Sequence, residues 1–199
     1  MTNTNLHRAR LLAALAAAVL PATSLAQVRA GATIRPYAEM SIEGGGAQVA
    51  AITFADDNTY SLSASGGATV AIGGILRPAP GTAWSPLGLR FGAGYKWRRI
   101  ADGDRDITLA RIPVEAVVTY AFPPGWHVGA GAVHHANVRA SGSELAQGLD
   151  LGSATGARLE MGWRFIAGTF TRMSYRDETG RSYDANAVGV SVRWTFGGA

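Results

Sequence analysis

Two adjacent histidines are the clearest candidates for acid–base chemistry in the sequence. His134 and His135 are followed by Ala136, whereas acyl hydrolysis assisted by a histidine needs a hydroxyl nucleophile within hydrogen-bond reach. Ser141 and Ser143 lie further along, in a segment with the composition of a loop. The spacing therefore predicts no catalytic site. We expect His135 to point into a polar interior and His134 to lie near the outer surface.

Three alternating carboxylates, at Asp102, Asp104 and Asp106, have the residue type of a calcium-binding loop. An EF-hand loop needs a glycine directly after the third acidic residue and a glutamate six residues beyond that glycine. Ile107 occupies the glycine position. The chain also has no cysteine, which excludes a disulfide framework and a thiolate metal site. The sequence therefore predicts no metal site and no cofactor.

Arginine is the most distinctive chemical group, because it supplies all of the 18 basic residues except Lys96. The 14 acidic residues bring the formal net charge to only +4. A planar guanidinium suits fixed ion pairs, whereas a lysine-rich surface for nucleic acid is disfavoured. We therefore expect paired arginines and no nucleic-acid partner.

The elements that carry these side chains alternate with a period of two. One face near the end of the chain is wholly apolar: Val188, Val190, Val192, Trp194 and Phe196. The interleaved residues are small or polar, and 87–98 and 157–165 repeat the design. Successive side chains of a strand point to opposite faces, so this pattern predicts β-strands with one apolar and one polar face.

Three features favour a membrane barrel over a soluble β-sandwich. The alternating segments run for about ten to twelve residues, as tilted membrane strands do. The polar face carries glycine, serine and arginine, which suit a narrow lumen. Aromatic residues concentrate at the ends of the apolar face, as in the interfacial girdles of outer-membrane barrels. This aromatic girdle comprises Trp97, Tyr120, Phe122, Trp126, Trp163, Phe165, Trp194 and Phe196.

The fold class that follows is all-β, an eight-stranded antiparallel up-and-down transmembrane β-barrel. The predicted strands are 34–43, 67–77, 86–98, 107–122, 126–139, 154–166, 168–176 and 185–196. Tight turns at 123–125 and 167–168, and a longer proline-rich turn at 78–85, alternate with long and mostly polar connections at 44–66, 99–106, 140–153 and 177–184. An even strand number, with short periplasmic turns and long external loops, is the bacterial outer-membrane pattern. Pro113 in mid-strand predicts a bulge.

The first 26 residues have the organisation of a secretory signal peptide. His7, Arg8 and Arg10 precede an apolar run at 11–20, and Ser24-Leu25-Ala26 supplies small residues at the cleavage position. The run is about half the ~20 apolar residues that a spanning helix needs. We therefore expect a cleaved signal peptide at 1–26 and a barrel domain at 27–199.

Several segments resemble a known family. Residues 112–115 and 120–131 look like the middle of the small outer-membrane β-barrel domain family, which shares its architecture with OmpA-like and OmpW-like barrels. Residues 172–175 and the closing strand 188–196 are similar to the last hairpin of that family. The resemblance covers most of 60–196. It implies an outer-membrane location, with outer-membrane lipids, lipopolysaccharide and the barrel-assembly machinery as partners.

The lumen is where we expect the arginines to act. An eight-stranded barrel is barely wide enough for its side chains, and buried charges must be paired. We expect an ion-pair network that plugs the lumen, formed by Arg90, Arg111, Glu115, Arg158, Glu160, Arg164, Arg172 and Arg193. An anion-selective pathway is the alternative, since the inward cations outnumber the carboxylates.

The sequence therefore predicts a monomeric integral outer-membrane protein without enzymatic activity, structural or narrowly porin-like, with a mostly closed lumen and exposed loops. Two other functions stay open. One is an enzyme that modifies lipid A or phospholipid. The other is an adhesin or small-ligand binder that uses the long loops.

Overall fold

A computed structural model describes residues 31–53, 59–102, 105–142, 151–177 and 179–197. The expected signal peptide lies outside these residues. Within them, no helix is long and apolar enough to cross a membrane. The described residues form twelve strands: β1 (Thr33–Gly44), β2 (Gln48–Thr53), β3 (Thr59–Ser63), β4 (Gly67–Arg77), β5 (Leu87–Asp102), β6 (Arg105–Phe122), β7 (Trp126–Gly142), β8 (Ala154–Trp163), β9 (Ile166–Arg172), β10 (Ser174–Arg176), β11 (Ser182–Asp184) and β12 (Ala187–Thr195).

Eight of these strands close into a barrel, in the order β1-β12-β9-β8-β7-β6-β5-β4. Each barrel strand is antiparallel to both neighbours, and β1 closes the ring because it pairs with β4 on one side and β12 on the other. Met40 of β1, for example, lies opposite Val70 and Val192. This architecture confirms the predicted all-β, eight-stranded fold.

The barrel is apolar outside and charged inside, the reverse of a soluble protein. In β8, Leu159 and Met161 point outward and are 52% and 60% exposed. Arg158 and Glu160 alternate with them, point inward and are only 6% and 4% exposed. The two-residue period of a strand thus separates the two kinds of side chain onto opposite faces of the wall.

The two ends of the barrel differ, and we name them by their connections. At the short-turn end, brief connections follow β4, β6 and β8. At the long-loop end, the separate hairpins β2–β3 and β10–β11 extend the connections. Strands β5 and β6 also continue to Asp102 and Arg105, so the predicted loop at 99–106 is wrong for most of its length. The antiparallel ladder persists there because the two strands stay in register as far as the Asp102–Arg105 pair.

Two local predictions need correction. The turn expected at 167–168 lies at Arg164-Phe165, between the paired residues Trp163 and Ile166. Arg164 takes the left-handed conformation there (φ 53°), so this turn needs no glycine. The distortion expected at Pro113 lies nearby, as a register shift between Ala110 and Ile112 in the β6–β7 pairing.

A buried apolar cluster fills the lumen at the long-loop end, and we call it the apolar plug. Inward side chains of β6, β7 and β8 pack there against residues from β3, β10 and the adjoining segments. The plug comprises Leu62, Ala64, Ile107, Leu109, Val133, Val138, Leu151, Ala154, Met173, Tyr175 and Ala185. The polar lumen that the sequence predicts therefore occupies only part of the barrel.

The turn between β10 and β11 is held by one exposed carboxylate. Asp177 accepts hydrogen bonds from the Thr179 hydroxyl at 2.7 Å and from the Arg181 backbone N–H at 2.8 Å. These hydrogen bonds, led by the one from Thr179, favour the charged form and lower the pKa of Asp177.

Candidate functional site

Eight charged side chains form a continuous chain of ion pairs across the lumen below the apolar plug. We call this set the charge belt. Its four carboxylates and four cations are Glu39, Glu43, Glu115, Glu160, Arg90, Lys96, Arg158 and Arg193. All eight project from inward positions of five strands, β1, β5, β6, β8 and β12. The formal charges of the belt cancel.

Arg90 lies at the centre of the belt. It is fully buried and donates to Glu115 on the neighbouring strand. Its Nη2 also donates to Oε2 of Glu160 at 2.6 Å. Glu160 is on β8, two strands beyond β6 in the order of the barrel. Tyr37 adds a neutral contact, because its hydroxyl donates to Glu115 Oε1 at 3.3 Å. Arg90 therefore ties β5 to β6 and β8.

The belt extends from this centre in both directions. Arg193 Nη2 lies 2.7 Å from Oε2 of Glu39 and 3.1 Å from Oε2 of Glu160. Arg158 lies between two other carboxylates, with Nη1 3.0 Å from Oε1 of Glu43 and Nε 3.4 Å from Oε2 of Glu115.

Lys96 ends the belt, and its contact is with Glu43. Burial of an ion costs several kcal/mol unless a partner and further hydrogen bonds compensate it.

Glycine makes room for the belt. Gly129 faces the lumen, and a Cβ atom there would lie only 2.8 Å from Cγ of Glu160. Gly189 is similar, since a Cβ atom there would meet Cγ of Glu43, so both positions stay small because a long charged side chain crosses in front of them.

Three residues of the expected network lie elsewhere or bind differently. Arg111 points inward and is buried, but it donates to the backbone oxygens of Ser65 at 2.7 Å and Gly66 at 2.9 Å. Arg164 is in a turn, with its guanidinium 4.4 Å from the ring centroid of Trp163. Arg172 is exposed on the outer face of β9. The expectation that Arg172 faces the lumen is therefore wrong, whereas Arg164 lies at the short-turn mouth of the lumen and outside the ion-pair network.

The network expected from the sequence omits three members of the charge belt: Glu39, Glu43 and Lys96. They occupy alternate, inward-facing positions of β1 and β5, and this alternation is the sequence signal that could have identified them. Their roles depend on contacts with distant strands. No sequence signal identifies their partners, because those partners are 50 or more residues away.

The histidines lie on opposite faces of β7. His135 points inward, is buried and shares a hydrogen bond between Nδ1 and the Tyr175 hydroxyl. His134 points outward, with Nδ1 2.8 Å from Oγ1 of Thr155 on β8. Among the described residues, no group of three or more histidine, aspartate or glutamate side chains could hold a metal ion.

The aromatic residues are distributed unevenly between the two ends. Of the eight residues of the predicted aromatic girdle, Trp97 alone lies near the long-loop end. Its ring stacks on the ring of Tyr95, with the two centroids 5.8 Å apart. The others are exposed on the outer surface at the short-turn end: Tyr120, Phe122, Trp126, Trp163, Phe165, Trp194 and Phe196. Trp126 lies directly opposite both Phe122 and Trp163 in the ladder. The short-turn end therefore carries an aromatic band on the β6, β7, β8 and β12 side of the barrel.

Comparison with known proteins finds a likeness in structure but none in sequence. No protein-family model matches the chain, and no curated protein is detectably similar to it. A solved structure that resembles it is Ail, the attachment invasion locus protein of Yersinia pestis, in complex with the heparin analogue sucrose octasulfate. The match has 11% sequence identity and a TM-score of 0.37, and it covers 82% of this chain and 97% of Ail. The eight-stranded architecture rests on the strand pairing of this chain itself.

Proposed function

We propose that this chain is an integral protein of a Gram-negative-type outer membrane, in which a closed barrel anchors the long-loop end at the cell surface. One observation carries the proposal: large apolar side chains cover the outside of the barrel, while the eight charged residues of the belt project into its interior. Exposed apolar patches on soluble monomers rarely exceed a few hundred Å². An apolar band around the whole wall suits lipid instead.

The aromatic band supports the same proposal and suggests how the barrel sits. Tryptophan and tyrosine favour the interface between lipid and water. Short turns face the periplasm in bacterial barrels, so the short-turn end, with its aromatic band, belongs on the inner side. The partners of this surface are then outer-membrane lipids and lipopolysaccharide, with the barrel-assembly machinery during insertion.

The interior supports a structural role over that of an open pore. The charge belt crosses the lumen, and the apolar plug fills the long-loop end above it. An ion would have to displace paired buried charges and also pass a dry apolar cluster. We therefore propose a lumen that conducts little, and a protein that acts without catalysis as an anchor for its loops.

Two measurements on expressed protein test this proposal together. Membrane fractionation should place the protein with outer-membrane markers. Unheated samples should migrate as a compact, heat-modifiable species on SDS gels, because a closed barrel resists the detergent. A soluble protein in the periplasmic fraction that shows no heat-modifiable band would overturn the proposal.

A second candidate function rests on one contact on the outer wall. The imidazole of His134 and the hydroxyl of Thr155 lie within hydrogen-bond distance on the lipid-facing side, as a base and nucleophile for acyl transfer would. Among the described residues, no carboxylate is hydrogen-bonded to His134 to orient it. Lipid A mass spectrometry of cells with wild-type protein and with Thr155→Val tests this candidate. A change in lipid A that is lost in the Thr155→Val variant would show that the protein acts as an enzyme and would overturn the proposal of an anchor without catalysis.

A further inference from the structure

The short-turn end of the lumen opens into a cavity of about 720 Å³. Arg90 and Arg193 of the charge belt lie at its inner side, and the connections after β4, β6 and β8 form its outer wall. Unlike the long-loop end, which the apolar plug fills, this end has room for a small ligand.

The chemistry of the cavity wall is strongly one-sided. Of its sixteen lining residues, four are arginines and none is an aspartate or glutamate. Arg90 and Arg193 are paired within the neutral belt, but Arg77 and Arg164 are exposed and make no ion pair with a described residue. The wall therefore carries a net positive charge that no described carboxylate offsets.

Polar groups other than arginine complete the wall. Thr119 and His127 line it between the belt and the rim. The ring Nε2 of His127 is buried and has no hydrogen-bond partner among the described residues. Buried polar atoms nearly always have a partner, so such a nitrogen indicates a place where a bound molecule or water completes the hydrogen bonds.

No described aspartate or glutamate lines this cavity. The belt carboxylates pair with the buried arginines at its inner side, and the described acidic residues outside the belt lie at the long-loop end: Asp102, Asp106, Asp177 and Asp184. The short-turn connections contain none. A cation-lined concavity without carboxylates raises the local concentration of anions.

We propose that this cavity is a binding site for a phosphate-bearing anion, held between Arg77 and Arg164 at the rim. Guanidinium groups form bidentate, charge-assisted hydrogen bonds with phosphate oxygens. Phe122, Trp126 and Phe165 supply an apolar border beside the membrane surface. The ligand is either a soluble phosphate compound or the headgroup of an anionic phospholipid. Only the assignment of the site to the periplasmic side rests on the proposed function.

Pyrophosphate is the probe for the binding test, titrated into the full chain in non-ionic detergent micelles and followed by NMR. The amide signals of Gly125 and Ala121 should shift and saturate, while that of Gly180 at the opposite end stays fixed. The double variant Arg77→Gln/Arg164→Gln should bind at least about tenfold more weakly, since two charge-assisted contacts are lost.

A matched variant controls for the change in net charge. Arg139→Gln/Arg172→Gln removes two exposed arginines far from the cavity and should keep the wild-type affinity within about twofold. Absence of a saturable shift at Gly125 would overturn the proposal. So would equal affinity in the Arg77/Arg164 variant, or an equal loss in the control.

The same titration in nanodiscs identifies the source of the phosphate. If a phospholipid headgroup occupies the site, adding phosphatidylglycerol to phosphatidylcholine discs should weaken pyrophosphate binding in proportion to its share. If the ligand is a soluble anion, the affinity should not depend on this lipid. Each result supports the site, and the two differ in its natural ligand.

Discussion

At the scale of single residues, the charge belt shows that buried ions differ in how much they depend on one partner. Arg90 contacts Glu115 and Glu160, and Arg158 contacts Glu43 and Glu115, so each arginine keeps a carboxylate when another is lost. Lys96 is different, since Glu43 is its one ion-pair partner among the described residues. Removal of Glu43 thus leaves a buried ammonium unpaired.

This difference predicts an order of stability among variants of the belt. Glu43→Gln should lower the free energy of unfolding by about 3–5 kcal/mol, the usual cost of breaking a buried pair. Glu115→Gln should cost less, because both of its arginines retain other partners. Urea unfolding in detergent, followed by tryptophan fluorescence, measures both values.

A compensating change separates the loss of the pair from a general disturbance of packing. Replacement of a buried ion pair by apolar groups is often neutral or stabilising. Glu43→Gln/Lys96→Met should therefore recover most of the stability that Glu43→Gln loses. The losses of unfolding free energy in Glu43→Gln and Lys96→Met could instead add up in the double variant. Such additivity would show that Lys96 and Glu43 do not depend on each other.

Residue roles in the lumen could be predicted only in part. Arg90, Glu115, Arg158, Glu160 and Arg193 occupy inward positions of strongly alternating strands. Arg172 was misassigned although Phe170, two residues earlier, is apolar and must share its face. The partner of each charged group depends on where distant strands meet across the lumen, and no local pattern encodes that.

At the scale of elements, alternation is what made the barrel predictable. The outer face of β12 carries Val188, Val190 and Trp194, and the lumen face carries Ser191. The apolar plug was not predictable in the same way. Leu62 and Tyr175 come from hairpins between barrel strands, and only the folded loops bring them to the inward residues of β6 and β7.

Two neighbouring positions in β12 test the orientation of its faces. Val190 is 56% exposed on the outer wall, and Val190→Arg should destabilise the barrel by about 2–4 kcal/mol if this position is near the bilayer midplane. Ser191 is 1% exposed in the lumen, and its hydroxyl has no hydrogen-bond partner among the described residues. Ser191→Ala should accordingly leave the urea midpoint nearly unchanged. Equal effects of the two changes would mean that the alternation of the two faces has been misread.

At the scale of the whole molecule, the two ends differ in charge, aromatic content and filling. The long-loop end carries the apolar plug and the described acidic residues outside the belt, whereas the short-turn end carries the aromatic band and a cavity lined by arginines without carboxylates. This polarity predicts a single orientation in the membrane.

Cysteine labelling of intact cells reads that orientation directly, because the natural chain has no cysteine. Thr179→Cys and Thr82→Cys form a matched pair of exposed threonines in turns at opposite ends. A membrane-impermeant maleimide should label position 179 and spare position 82, and lysed cells should label both. Labelling of position 82 alone on intact cells would invert the proposed orientation.

The central claim is that the barrel spans a membrane while its lumen stays closed. Current recording on the purified wild-type protein in planar lipid bilayers tests this most directly. With incorporation verified by the heat-modifiable band from the same membranes, we predict no steady ionic current in potassium chloride, because the charge belt and the apolar plug both obstruct the lumen. A steady, anion-selective current through the unmodified protein would contradict the account.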